Sequence, residues 1–158
     1  MTTITIQPWA DKVIDTIGHD PRSHYVEKFW LPTLGPTSLL LLRHLATRFE
    51  QSPEGIEIRL ASTSQALGVG AREGVNSPLV RSLTRLAQFD LACDDGRGTV
   101  AVRRTVPPVN PRHVKRLPAD LRVELAQWND VEGGEAPLAS ARKRARRVAF
   151  TLLEQGDD

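Results

Sequence analysis

Apolar positions along the chain fall in short runs whose spacing switches between helical and alternating. Near the N-terminus Trp9, Val13, Ile14 and Ile17 stand at helical spacing and Gly18 closes the run, which predicts a short helix. Asp20-Pro21 has the form of an N-cap followed by proline at the first helical position. Tyr25, Val26, Phe29 and Trp30 give the helix that follows an apolar stripe, ended by Pro32 or Gly35. A third helix starts at Pro36, with Leu39, Leu42, Leu45, Ala46 and Phe49 on its core face. After the break at Ser52-Pro53-Glu54-Gly55, Ile56, Ile58 and Leu60 alternate with Glu57 and Arg59, the pattern of a half-buried strand.

Residues 62–67 predict a brief helix, capped by Ser62 or Thr63 and ended by Gly68, and a glycine-spaced turn continues to Gly74. Asn76-Ser77-Pro78 is another start signal. The helix after it gathers Leu79, Val80, Leu83, Leu86 and Ala87 on one face and Arg81, Arg85 and Gln88 on the other. Leu91-Ala92-Cys93 and residues 99–103 flank Asp94-Asp95-Gly96-Arg97-Gly98, a hairpin signal because glycine permits the positive φ of a tight turn. Beyond it, Pro107-Pro108 and Pro111 enforce an extended exit. Asn110-Pro111 then opens a segment whose Val114, Leu117, Leu121, Leu125 and Trp128 are spaced to cover a groove, with Pro118 dividing it into two helices.

The order helix, strand, helix, turn, helix, two-stranded ribbon resembles the winged helix-turn-helix fold over about residues 36–104. Residues 77–91, SPLVRSLTRLAQFDL, look like the recognition helix and wing entry of many small bacterial regulators. The segments HDPRSHYVEKFWLP (19–32) and AVRRTVPP (101–108) are similar to parts of a small actinobacterial family, from which no function carries over. One departure is the turn at 68–76, longer than the three or four residues usual in the motif. The expected chain is therefore mainly α with a small β-ribbon (α+β), a winged-helix core with extra N- and C-terminal helices. Its parts are a helical extension at 1–35, the core at 36–106, packing helices at 107–131, a linker at 132–137 and a basic helix at 138–158.

Charge sharpens this picture. The whole chain carries a formal net charge of +2, but residues 1–96 hold 9 Lys/Arg against 11 Asp/Glu, and residues 97–158 hold 12 against 8. A wing and tail that concentrate the positive excess point to an anionic partner. Arg81 and Arg85 sit one turn apart, and a planar guanidinium can bond a guanine edge twice or clamp a phosphate. Gln88 extends their stripe, and Asn76 and Ser77 at the helix start could bond phosphate beside backbone N–H groups. Arg97 at the wing tip, with Arg103 and Arg104 on the return strand, suits the phosphate backbone. Edge-strand protection and an ordinary solvated helix face account for the same residues without a ligand. Arg142, Lys143, Arg144, Arg146 and Arg147 form a second basic patch, opposite a dimer seam of Leu138, Ala141, Ala145, Val148 and Leu152.

Catalytic and metal signals are weak. His19, His24, His44 and His113 form no metal-binding pair at helical spacing, and Cys93 is the single cysteine. Gly68 to Gly74 is neither a dinucleotide fingerprint nor a phosphate-binding loop, and Asp94-Asp95 reads as a turn. Trp30 and Trp128 fall on apolar stripes and read as core. The longest apolar run, Leu39 to Leu42, is far short of the roughly 20 residues of a membrane span, and the first residues lack a secretory pattern. The expectation is a cytoplasmic, nucleoid-associated protein without catalytic residues, cofactor or metal. Its partner is double-stranded DNA, bound as a transcriptional regulator or nucleoid factor, with a homodimer through the last helix. The competing reading is a winged helix that binds protein, as an adaptor in a replication, segregation or other complex.

Overall fold

The computed structural model describes residues 2–134 other than 73 and 75. These form an α+β arrangement of eight helices and one four-stranded mixed sheet, and divide into two compact units. Among them, no helix is long and apolar enough to cross a membrane.

The first unit takes in the described residues of 1–10, 20–22 and 34–104. Its sheet is built from β1 (Thr3–Trp9), β2 (Ile56–Arg59), β3 (Ala92–Asp94) and β4 (Thr99–Arg103), in the order β2-β1-β4-β3. The expected ribbon is present as the antiparallel pair β3 and β4, which brings Cys93 opposite Ala101. It is half of a larger sheet, because β1 runs parallel to β4 and antiparallel to β2. The Thr-Ile-Thr-Ile alternation of β1 buries Ile6 completely. Trp9 therefore ends a strand and does not begin the expected helix. Pro8 is tolerated because β2 pairs only as far as Ile6, leaving proline's missing N–H on an unpaired side.

Three helices complete this unit: α4 (Pro36–Gln51), α5 (Leu60–Ala66) and α6 (Pro78–Gln88). The expected face of α4 is buried, joined by Ser38 and Leu41, and α4 packs against α6. In α6, Leu79, Ser82, Leu83 and Leu86 are buried. Val80 is only half-buried and Ala87 is exposed, so Ser82 takes a place the apolar pattern assigned to them. Ser77 caps α6, its hydroxyl accepting from the Leu79 and Val80 amides. α5 begins two residues earlier than expected, on Arg59 with no side-chain cap, because Leu60 leaves the strand to start it.

The second unit comprises 11–19, 23–33 and the described residues from Thr105 onward. It contains α1 (Lys12–Ile17), α2 (His24–Phe29), α7 (Pro111–Val114) and α8 (Ala119–Gly134), while α3 (Leu31–Leu34) ends in the first unit. Asp11 caps α1, and Ser23, not Asp20, caps α2. The Asp20 carboxylate is occupied elsewhere, accepting from the Arg22 amide at 2.7 Å and its guanidinium at 2.8 Å. The core of the unit is aromatic. His19 stacks on Tyr25 at 3.7 Å, and Tyr25, Phe29 and Trp128 meet edge to face. The proline-rich exit is fixed at two points: the Trp30 indole donates to the Pro107 carbonyl, and the Tyr25 hydroxyl accepts from the Val109 amide. Pro118 does separate two helices, and the second continues to Gly134, through the first half of the expected linker. Residues 135–137 lie outside the described residues, as do the basic patch (Arg142, Lys143, Arg144, Arg146, Arg147) and the seam (Leu138, Ala141, Ala145, Val148, Leu152).

Candidate nucleic-acid interface

The expected interface residues that the structure describes all belong to the first unit, and they fall into three groups. The exposed face of α6 carries Arg81, Arg85 and Gln88 together, as the periodicity predicts, and Thr84 is exposed with them. Arg85 also lies 5.8 Å from the Phe89 ring centre, a contact that steadies its stem. Thr84 satisfies its own hydroxyl on the Val80 carbonyl at 3.0 Å.

The hairpin tip forms the second group. The Asp94 carboxylate accepts from the Gly96 amide at 2.8 Å, and the Asp95 carboxylate accepts from the Arg97 and Thr99 amides at 2.7 and 3.1 Å. Gly96 and Gly98 take φ of 75° and 91°, which a side chain would resist. The paired aspartates thus hold the turn that presents Arg97, and Arg97 and Arg104 are exposed.

Arg103 and Ser77 are placed differently from the rest. The Arg103 guanidinium lies 3.8 Å over the Trp9 ring, and its Nε donates to the Asp90 carbonyl at 2.7 Å. Its charge is spent on fixing the end of β4 to β1 and to the close of α6. Ser77 is 0% exposed and serves its own helix, so only Asn76 of that pair stands at the surface.

Sequence reasoning missed the other wall of the α6 face. An open groove of about 640 Å³ runs between α6 and the start of α4, lined by Gly35, Pro36, Thr37 and Ser38 on one side and Arg81, Ser82, Thr84, Arg85 and Gln88 on the other. Among the described residues, no acidic side chain lines it. The α4 N-terminus has glycine as its cap, with φ of 83° and no side-chain hydrogen bond. Its first-turn N–H groups and the positive end of its dipole are therefore left to the groove. The signal was present in Gly35-Pro36-Thr37-Ser38, a helix start whose cap position carries no side chain. Its meaning depended on which helix lies opposite, which periodicity does not encode.

A separate ionic cluster in this unit is structural. Arg22 bridges Asp20 and Glu50 at 2.8 and 2.9 Å. The hydrogen bond from Arg22 is the main reason that both carboxyls are held below their ordinary range; burial opposes it at each. On α4, burial and then the neighbouring charge of Arg48 push His44 below the ordinary histidine value. Among the described residues, no three His, Cys, Asp or Glu side chains cluster as metal ligands. Comparison with protein-family models, curated proteins and solved structures finds no match to this chain.

Proposed function

We propose that the first unit is a winged-helix DNA-binding domain whose α6 face and hairpin tip lie on duplex DNA. The single observation that carries this reading is the α6 face. Arg81, Arg85 and Gln88 are exposed together beside a groove that, among the described residues, has no acidic lining. The succession α4, β2, α5, α6, β3, β4 supports it, since it is the order of elements in that fold. Two features are particular to this chain: β1 stands between β2 and the hairpin, and a long turn separates α5 from α6.

In this reading α6 approaches the major groove, which admits a helix, and Arg97 and Arg104 reach phosphates from the hairpin. Arg103 is a positioning residue for the hairpin through Trp9. Fluorescence anisotropy on mixed-sequence duplexes at low salt tests it. The expected result is saturable binding that weakens at least about tenfold when Arg81→Gln and Arg85→Gln are combined. Absence of binding at low salt, or binding indifferent to the double substitution, overturns it in favour of a protein-binding adaptor.

A further inference from the structure

The groove between the α4 N-terminus and α6 has features that an exposed basic helix face does not require. Ser38 and Ser82 are 3% and 5% exposed, and both line it. Neither hydroxyl makes a side-chain hydrogen bond among the described residues. A helical hydroxyl can bond back to the carbonyl one turn earlier, as Thr84 does here, and these two do not. Neither hydroxyl is sealed from water, so both are open to an acceptor that enters the groove they line.

Ser38 belongs to the helix start itself, which leaves donors open, and Ser82 lines the groove from α6. Proline at 36 has no N–H, and the first intrahelical bond at this end is Leu39 N–H to the Gly35 carbonyl. The amides of Thr37 and Ser38 therefore remain, with no capping side chain to accept from them. Across the groove stand Arg81 and Arg85. Two amides, two hydroxyls, a helix dipole and two guanidinium groups, with no carboxylate among the lining residues, make a donor set for one tetrahedral oxyanion.

We propose that this groove is the seat of a single phosphate group, held by the Thr37 and Ser38 amides, the Ser38 and Ser82 hydroxyls, and Arg81 and Arg85. The assignment of its source rests on the duplex-binding reading: the group is one phosphodiester of the DNA backbone. It follows that the arginine pair of α6 clamps the backbone and sets the position of the helix, and that sequence is read by other contacts. A free phosphate-bearing molecule offers the same chemistry, and the experiment separates the two.

The test follows backbone amide resonances of the full chain by NMR, first with inorganic phosphate and then with a short duplex. Phosphate is expected to shift Thr37 and Ser38 saturably at roughly millimolar concentration. The shifts should weaken by about tenfold in affinity with Arg81→Gln and Arg85→Gln, and persist with Arg59→Gln, a change of equal charge outside the groove. Ser82→Asp, which places a carboxylate at the seat, should abolish them while thermal unfolding stays cooperative. The duplex should move the same two amides and be displaced by phosphate. Shifts with phosphate but none with duplex retain the seat and overturn its assignment to DNA. Absence of a saturable shift, or one undiminished by the arginine substitutions, overturns the seat itself, whatever the duplex does.

Discussion

Asp90 shows how a single residue carries a local cost in this fold. It closes α6 with φ of 60°, the left-handed region, where Leu91 N–H reaches the Leu86 carbonyl at 2.9 Å and Asp90 N–H the Ala87 carbonyl at 3.2 Å. This is a helix end that glycine satisfies without a Cβ clash. Asp90→Gly should therefore stabilise the protein by about 0.5–1 kcal/mol in denaturant unfolding. Arg22 presents a pH effect with a definite sign. Asp20 and Glu50 titrate below their ordinary values of 3.8 and 4.5, so the bridge stabilises above those values. It is lost as pH falls through the lowered folded values. Arg22→Gln should remove part of the acid-side slope of stability and leave the neutral-side slope unchanged; the groups are exposed, so the change is small. At this scale the sequence was legible wherever a residue's role follows from its own type, as at the Ser77 cap or the Gly96 turn. It misled where the role depends on a distant neighbour. Arg103 belongs to the expected basic patch by position, and only the arrival of Trp9 beside it shows that its charge is engaged.

Among elements, α4, α6 and the hairpin were legible because each announces itself locally, through a 3.6-residue apolar stripe or a glycine-bearing turn between alternating runs. β1 was not. Its alternation at Thr3 to Ile6 is short, contains no turn signal of its own, and runs into Trp9, which is also in phase with the helix that follows. What makes it a strand is pairing with residues far along the chain, Arg59 opposite Thr3 on one side and Thr99 opposite Thr5 on the other. The loop before β2 has to accommodate that pairing. Gly55 takes φ of 122°, and a Cβ there would stand 3.0 Å from the Ile6 carbonyl oxygen and 3.1 Å from Gln7 Cγ. Gly55→Ala should destabilise by about 1–3 kcal/mol in thermal or denaturant unfolding. A loss below a few tenths of a kcal/mol would show that β1 yields easily and is a weak partner in the sheet.

For the whole molecule, the sequence conveyed the class of structure and the uneven charge but not the partition. Each unit is assembled from separated stretches of chain, which no local pattern records. The apparent N-terminal extension is shared between them, with β1 in one sheet and α1 in the other unit's helices. The candidate interface was half legible for the same reason. Arg81, Arg85 and Gln88 follow from periodicity, whereas the opposing wall at Thr37 and Ser38 comes from a stretch some forty residues earlier whose proximity is a tertiary fact. The modest net charge of +2 argues against a nonspecific polyanion binder and for a contact confined to a few phosphates. That number is directly countable. Duplex affinity of the full chain should fall with salt along a line whose slope is about −0.9 for each phosphate contacted, and the combined Arg81→Gln and Arg85→Gln substitution should make that slope shallower by about one, for the single phosphate that the pair holds. Duplex binding whose dependence on salt is flat, or whose slope is the same with and without those two arginines, would contradict the account.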